Sequence, residues 1–304
     1  MMAGLSSQID ICLSLLNGDI VYLDYPVYCN IGDLLIWMGT KEFLKRNQIS
    51  PIAWYSVNNT VKRTHNLIER CDVICFQGGG NLGDLWPRHQ KLREKIIQQY
   101  PLKRIVVLPQ SVHFTDVQQL NEACSVFRTH PDLHIFVRDR NSLSLLQDRD
   151  VRNVKLCPDM AHALWGRLSA TPPTKPDPLY LLRRDKEAAH LPGNLDAAEA
   201  TDWEDLLTGW TKRAYELGVR VNEADGGKGN NFLPAAALWN VVSLMLVNRA
   251  VALFAPYNTI VTNRLHAVIL AALLGRKSVV YDNSYGKLSS YLDCWMHADL
   301  PQSL

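Results

Sequence analysis

The stretch Thr259-Ile-Val-Thr-Asn-Arg264-Leu-His266 runs directly into Ala-Val-Ile-Leu-Ala-Ala-Leu-Leu-Gly275. A short strand would deliver the chain into a helix so apolar that it must be buried, and Gly275 supplies the C-terminal stop. The polar groups of this element all fall in its first turn. Unsatisfied amides and the positive end of the helix dipole make such a turn an anion site, and Arg264 adds a planar fork suited to phosphate or carboxylate. His266, two residues on, is close enough to give a proton to a bound anion. A histidine at the head of a buried helix also occurs as a core residue with its bonds satisfied, so both readings stand for this position.

Other charged or glycine-rich clusters close apolar runs in the same way. Val137-Arg138-Asp139-Arg140 and Leu182-Arg183-Arg184-Asp185 each put arginine at a strand's carboxyl end, where a cleft would receive it. Asp139 could pair with either neighbour and make the first a structural bridge, while the second could be a solvated loop start. Gln77-Gly-Gly-Gly-Asn81-Leu-Gly-Asp84 follows the apolar run Val73 to Phe76. Its glycines Gly78, Gly79 and Gly80 would let a cleft-lining loop approach a ligand with its amides turned inward, the alternative being a tight turn. No Gly-Lys-Ser/Thr follows, so this is no P-loop. Asn30, Asp33, Asn81 and Asp84 could bond sugar hydroxyls or cap helices, capping being the expectation for Asp33 and Asp84. Asn30-Ile-Gly-Asp-Leu34 and Asn81-Leu-Gly-Asp-Leu85 echo one another, as similar strand-to-helix turns would. Lys287, after the next strand, would share the rim with Arg264 as a compact charge, or be solvated.

The elements that must position these residues alternate as βα units around a parallel sheet. Strands are expected over Ile20 to Tyr25, Ile52 to Val57, Asp72 to Gln77, Arg104 to Gln110, Leu133 to Arg138 and Val154 to Pro158. Helices are expected over Asp33 to Arg46, Val61 to Arg70, His89 to Gln99, Asp116 to Arg128 and Ser142 to Gln147. Ser169 to Pro178 packs four prolines into ten residues, which suits a linker between a domain of residues 1–168 and another of 179–304. Beyond it come strand Leu179 to Arg183, helix Asp202 to Leu217, strand Val219 to Asn222, helix Pro234 to Leu253, strand Thr259 to Thr262, helix Asn263 to Leu274 and strand Ser278 to Asp282. A last helix, Lys287 to Met296, is placed to pack back on the first domain. Two such units form a cleft at the carboxyl ends of their strands.

Composition removes other classes. Lysine plus arginine total 32 against 30 acids in 304 residues, too balanced for a protein that works by neutralising nucleic acid. Seven cysteines form no CxxC pair, which suits reduced thiols and a cytoplasmic location. The apolar runs near Leu238 to Val247 and Ala267 to Leu274 fall short of the roughly 18 residues a membrane span requires. Trp37 and Trp86, with basic neighbours, leave docking at a membrane surface open. No metal-ligand cluster stands out.

Taken together, Asn30-x-Gly-Asp33, Gly78-Gly-Gly80 with Asn81, Val137-Arg138-Asp139, Leu182-Arg183-Arg184-Asp185 and Thr262-Asn-Arg264-Leu-His266-Ala resemble the polysaccharide pyruvyl transferases. The likeness runs in the expected order from about Tyr22 to Tyr291. Asn263 stands where that family often has aspartate, and Ala267 where it often has glycine. The resemblance implies two doubly wound Rossmann-like α/β domains in a glycosyltransferase-B-like pair, with the active site in the interdomain cleft. It implies that pyruvate moves from phosphoenolpyruvate onto two hydroxyls of a sugar as a cyclic ketal, with release of phosphate and without metal or cofactor. Arg183 and Arg264 would hold the donor's phosphate and carboxylate, with Lys287 also on the phosphate. His266 would protonate the methylene carbon and Arg138 would lie near the reacting carbon. Asn30, Asp33, Gly79, Gly80 and Asn81 fall to the acceptor side. The acceptor would belong to a cell-surface polysaccharide or its precursor, free or lipid-linked, handled by a monomer or homo-oligomer at the inner face of the membrane or away from it. A nucleotide-sugar-dependent glycosyltransferase and a noncatalytic sugar-binding protein are the alternatives.

Overall fold

The computed structural model describes residues 1–184, 200–225, 235–282 and 287–296, with the side chains of 60–64 and 287 outside that description. Seven parallel strands form the larger sheet. β1 (Ile20–Leu23), β2 (Ala53–Tyr55), β3 (Val73–Phe76), β4 (Gly79–Gly83), β5 (Arg104–His113), β6 (Leu133–Val137) and β7 (Val154–Leu156) lie in the order β2-β1-β3-β5-β6-β7, with β4 also paired to β5. The order reverses at β1, since β2 lies on one side of it and β3 on the other. Chains leaving β1 and β3 therefore diverge, and the crevice between them is where doubly wound sheets bind ligands. β1, β3 and most of β5 are buried continuously, as strands covered on both faces require.

A helix N-terminal to this sheet, α1 (Met2–Gln8), continues as a 3-10 turn over Ile9–Leu15. The sheet is covered by α2 (Ile31–Arg46), α3 (Thr60–Arg70), α4 (Pro87–Gln99), α5 (Val117–Thr129) and α6 (Arg140–Gln147). α2 buries Ile31, Leu34, Leu35, Ile36, Trp37, Phe43 and Leu44, and Gly39 lets the backbone at Met160 pass where a Cβ would stand 2.1 Å from the carbonyl oxygen. Trp37 is fully buried, so it cannot serve the membrane docking suggested from sequence; its ring stacks on Tyr25 at 5.1 Å.

The smaller sheet holds β8 (Leu179–Leu181), β9 (Thr259–Thr262) and β10 (Lys277–Val280), parallel in the order β10-β9-β8. Around it lie α7 (Gly209–Asp225), α8 (Ala235–Phe254), α9 (Leu265–Leu273) and α10 (Lys287–Trp295). The sheets are separate, yet one apolar core joins α2, α8, α9 and α10.

Three expectations change here. Val219 to Asn222 is not a strand but part of α7: Gly218 packs where a Cβ would be 2.9 Å from the Trp239 ring, and buried Asn222 binds the Gly218 carbonyl at 2.9 Å and the Tyr25 hydroxyl. The glycine run is strand β4 rather than a loop, because parallel pairing with β5 captures it. α8, at 20 residues with mean hydropathy 1.6, is long and apolar enough to cross a membrane. Its Trp239, Val242, Leu246 and Phe254 are instead packed in the core.

Candidate active site

The residues that close the strands converge on one cavity of about 450 Å³. From β1 and α2 come Tyr28, Cys29, Asn30 and Asp33; from β4 come Gly80 and Asn81; α4 and the turn before it give Trp86 and His89. Arg138 follows β6, Arg183 follows β8, and Arg264, Leu265 and His266 open α9. Trp203, Glu204 and Leu288 complete the lining. Of the residues singled out from sequence, Asn30, Asp33, Gly80, Asn81, Arg138, Arg183, Arg264 and His266 thus meet around one space. Gly79 is not among the lining residues; its left-handed φ of 133° would strain any other residue, and an added Cβ would sit 3.3 Å from Asp33 Oδ1. Lys287 opens α10, and its side chain lies outside the described residues.

Asp159, two residues beyond the Cys157 that continues β7, organises the wall that carries Arg138 and His266. Its Oδ2 accepts from Arg138 Nη1 at 2.6 Å and stands 3.3 Å from His266 Nε2. Burial alone would raise this carboxyl, but His266 and Arg138 outweigh it and hold Asp159 well below the usual carboxylate range. Arg138 Nε also donates to Ser111 Oγ at 2.9 Å, and that hydroxyl donates to Asp139 at 2.7 Å. Asp139 is therefore the N-cap of α6 and a second-step support for Arg138 rather than its direct partner. Behind Asp159, Tyr291 of α10 accepts the Asp159 amide at 3.2 Å and lies 2.7 Å from His162 Nε2.

Two motif glycines make room for these side chains. A Cβ on Gly32 would stand 2.5 Å from His266 Nδ1, and one on Gly80 would stand 3.2 Å from Arg138 Nη2. Sequence spacing could not show that reason for them. Asn30 caps α2 by accepting from Gly32 N at 3.0 Å and donates to Asp33 Oδ2 at 2.8 Å. The cap expected at Asp33 thus belongs to Asn30, because the helix begins two residues earlier. Burial raises the Asp33 carboxyl, with His266 and Arg138 opposing. Asp84 does not cap α4 either, but gathers the amides of Thr115 and Asp116 at 2.6 and 2.8 Å. The echo between Asn30–Leu34 and Asn81–Leu85 therefore joins two different structures, a helix start and a strand end.

On the opposite side Arg264 is buried and paired with Asp202, with Nη2 at 2.7 Å from Oδ2 and Nε at 2.6 Å from Oδ1. Asp202 also accepts from the amides of Trp203 and Arg184 at 2.7 and 3.1 Å. One edge of the Arg264 fork is thus held by a carboxylate, and the residue lines the cavity. Asn263, fully buried, accepts from Arg183 N at 2.8 Å and so ties the end of β8 to the start of α9. Of the adjacent arginines, Arg184 turns away to Asp205 at 2.5 Å and Arg183 reaches the cavity.

The third wall was not anticipated. Asp24, fully buried and in the left-handed region at φ 69°, accepts from His89 Nδ1 at 2.7 Å and stands 3.6 Å from Arg93. Asn81 Oδ1 receives Arg93 Nη2 at 2.9 Å and Gln110 Nε2 at 3.0 Å. A histidine three positions into a charged helix and an aspartate inside a presumed strand carry no sequence signal of this kind. Cys29 also lines the cavity, and burial pushes its thiol up to about 12, which disfavours the thiolate.

With this geometry in place, comparison with known proteins is decisive: residues 30–285 match the polysaccharide pyruvyl transferase family. The chain belongs to that family. It is 37% identical over 284 residues to the putative pyruvyl transferase EpsO of Bacillus subtilis, covering 92% of this chain and 86% of that one. It is 26% identical to pyruvyl transferase 1 of Schizosaccharomyces pombe over 91% of this chain and 70% of the relative. A solved structure of a functionally uncharacterized Klebsiella pneumoniae protein shares the fold, with TM-score 0.60 and 19% identity over 98% of this chain and 99% of the other.

Proposed function

We propose that this member of the family transfers pyruvate from phosphoenolpyruvate to two hydroxyls of a glycan, forming a cyclic ketal and releasing phosphate. The single observation that carries the reading is the sharing of Asp159 by Arg138 and His266 on a wall of the cavity that Arg183 and Arg264 also line. A trianionic donor suits that concentration of cation. In this reading Arg183, Arg264 and Lys287 hold phosphate and carboxylate, and Arg138 lies against the reacting carbon. His266 gives its proton to the methylene carbon, which leaves positive charge on the neighbouring carbon for a sugar oxygen to attack. Departing phosphate is stabilised by the arginines, so the reaction as read here calls on no metal. Asp159 keeps the imidazolium in place and then faces the neutral ring. Asn30, Asp33, Gly80 and Asn81 take the acceptor side, with Gly79 behind them giving the strand its turn, in a cleft read as lying between a domain of residues 1–168 and one of 179–304 in the glycosyltransferase-B manner.

The test is phosphate release from phosphoenolpyruvate with a panel of glycan acceptors, alongside thermal shifts with each ligand. Stabilisation by phosphoenolpyruvate and acceptor-dependent phosphate release are expected. Stabilisation by nucleotide sugars and not by phosphoenolpyruvate would replace the reading with glycosyl transfer. A response to glycans alone would make the protein a sugar-binding one.

A further inference from the structure

The wall built on Asp24 is left without a role by the donor chemistry, yet its side chains are buried and bonded in series. A carboxylate can only accept, and its 2.7 Å contact through Asp24 Oδ1 outweighs the longer 3.2 Å approach of the Asn81 amide to the same nitrogen, which places the proton of His89 on Nδ1. In the neutral ring the Nε2 lone pair is then the basic atom, and it sits on the edge of the imidazole remote from Asp24. His89 lines the same cavity as His266, with its side chain 13% exposed, and the Tyr28 ring meets it edge-on at 6.0 Å. Behind Asp24 the fully buried Arg93 is fixed by Asn81, which Gln110 holds in turn. Residues other than glycine rarely occupy the left-handed region, and Asp24 does so while buried. What this strained, desolvated arrangement fixes at the cavity is the tautomer and direction of one imidazole.

We infer that His89 is the base that takes the proton of the glycan hydroxyl attacking the donor, with Asp24, Arg93 and Asn81 as its positioning residues. The inference rests on the reading of the cavity given above. In the step assigned to it, the hydroxyl O–H bond breaks toward His89 Nε2 as the oxygen forms its bond to the donor's central carbon. The π pair of the donor's double bond takes the proton that His266 gives, turning the methylene into a methyl group. Charge is conserved across the site: His89 becomes an imidazolium facing Asp24 while His266 becomes neutral facing Asp159. Of the carboxylates lining the cavity, Asp33 is bonded by Asn30 and lies in the field of His266 and Arg138, on the acid's side of the space, while Glu204 sits in the turn that Asp202 caps, on the Arg264 side. The cavity thus carries two histidine–aspartate pairs, one to give a proton and one to take it.

The experiment compares wild type, His89→Ala and His89→Gln for donor binding by thermal shift with phosphoenolpyruvate, and for acceptor-dependent phosphate release with and without added imidazole. Both variants are expected to bind donor within about twofold of wild type and to turn over about 100-fold more slowly. Added imidazole is expected to restore turnover at least tenfold in His89→Ala and to leave His89→Gln unchanged. Should the alanine variant not fold, the glutamine variant, which keeps a polar group toward Asp24, carries the turnover comparison alone. Near-normal turnover in either folded variant overturns the inference and leaves the donor chemistry standing, as does an alanine defect that imidazole does not relieve. A wild-type protein that releases no phosphate with any acceptor overturns the reading of the site and this inference with it.

Discussion

Two buried arginine–aspartate pairs face one cavity and differ in what else they hold. Arg138–Asp159 and Arg264–Asp202 both join a strand-end arginine to a carboxylate at 2.6 Å, and both are nearly shut from solvent. The difference lies in what else each carboxylate holds. Asp159 reaches His266, and through its own amide it is tied to Tyr291 and His162. Asp202 instead accepts the amides of Trp203 and Arg184, so it fixes backbone. The first pair thus joins a charge to a titratable ring, the one read above as the proton donor, whereas the second clamps a cation at the wall. Similar pairs of residues thus acquire a chemical or an architectural task from their third partner.

The largest effect should come from breaking the first pair's link to its proton. His266→Ala is expected to lower phosphate release by a factor of roughly 100 to 10,000 with donor affinity and folding largely intact. Asp159→Asn should lower turnover comparably and also cost about 3 kcal/mol of stability, because Arg138 is left buried without its counter-charge. Asp202→Asn should cost similar stability while leaving the turnover of bound donor within about tenfold of wild type, since no proton passes through it. Steady-state kinetics and urea unfolding on the three variants test this. A turnover defect in Asp202→Asn equal to that in Asp159→Asn would erase the distinction.

Acid sensitivity should also belong to the first pair. Burial pushes His162 down to about 4, against about 6.5 in an unfolded chain. Between those values only the unfolded chain binds the proton, so stability rises with pH across the window and is lost as pH falls from 6.5 toward 4. The difference corresponds to about 3 kcal/mol. Asp159, depressed in the fold, adds stability that is present above the ordinary carboxylate range and is lost only at still lower pH. His162→Gln should flatten the loss between pH 6.5 and 4.5 in chemical unfolding. A variant curve parallel to that of wild type would show that the proton is taken up elsewhere.

On the clamp side, Arg264→Ala is expected to raise the donor's dissociation constant by about 1.5 to 3 kcal/mol, the range for charged hydrogen bonds, with a smaller change in turnover. Isothermal titration with phosphoenolpyruvate measures it. Unchanged affinity would mean that Asp202 uses the whole guanidinium.

How much of this was legible from the residues follows from locality. β9 and the helix after it could be read because polarity is confined to one turn of an otherwise apolar segment, and Thr259–Thr262 is the strand expected. The parallel order of the large sheet followed from βα alternation. Asp159 and Asp202 could not be identified as the arginines' partners, since the contacts span 21 and 62 residues and each aspartate locally resembles a cap, which it also is. Val219 and Val221 suggested a strand by their branching, and only the Trp239 ring across the interface shows why the chain stays helical. His89 and Asp24 are 65 residues apart and meet only because the sheet reverses at β1.

The smallest effect concerns what holds Arg138 itself. Trp295, at the end of α10, donates its indole N–H to the Arg138 carbonyl at 2.7 Å. Trp295→Phe keeps an aromatic ring in place and removes that bond, worth about 1 kcal/mol. For a chain of this size the melting temperature should then fall by roughly 2 to 4 °C. The informative quantity is turnover. Arg138 meets Asp159 through its guanidinium, so a shift of its backbone would loosen the contact at 2.6 Å on which His266 also depends. If the bond positions Arg138, turnover falls up to about fivefold, the rate equivalent of 1 kcal/mol, while donor affinity stays constant. If α10 only covers the core through Leu288, Tyr291 and Leu292, melting temperature falls and turnover does not. The corresponding backbone tie on the clamp side, from Arg183 N to Asn263 Oδ1, should show the opposite division when Asn263→Ala is made: weaker donor binding and unchanged turnover of the bound donor. The same division in both variants would show that the two pairs are held, and used, alike.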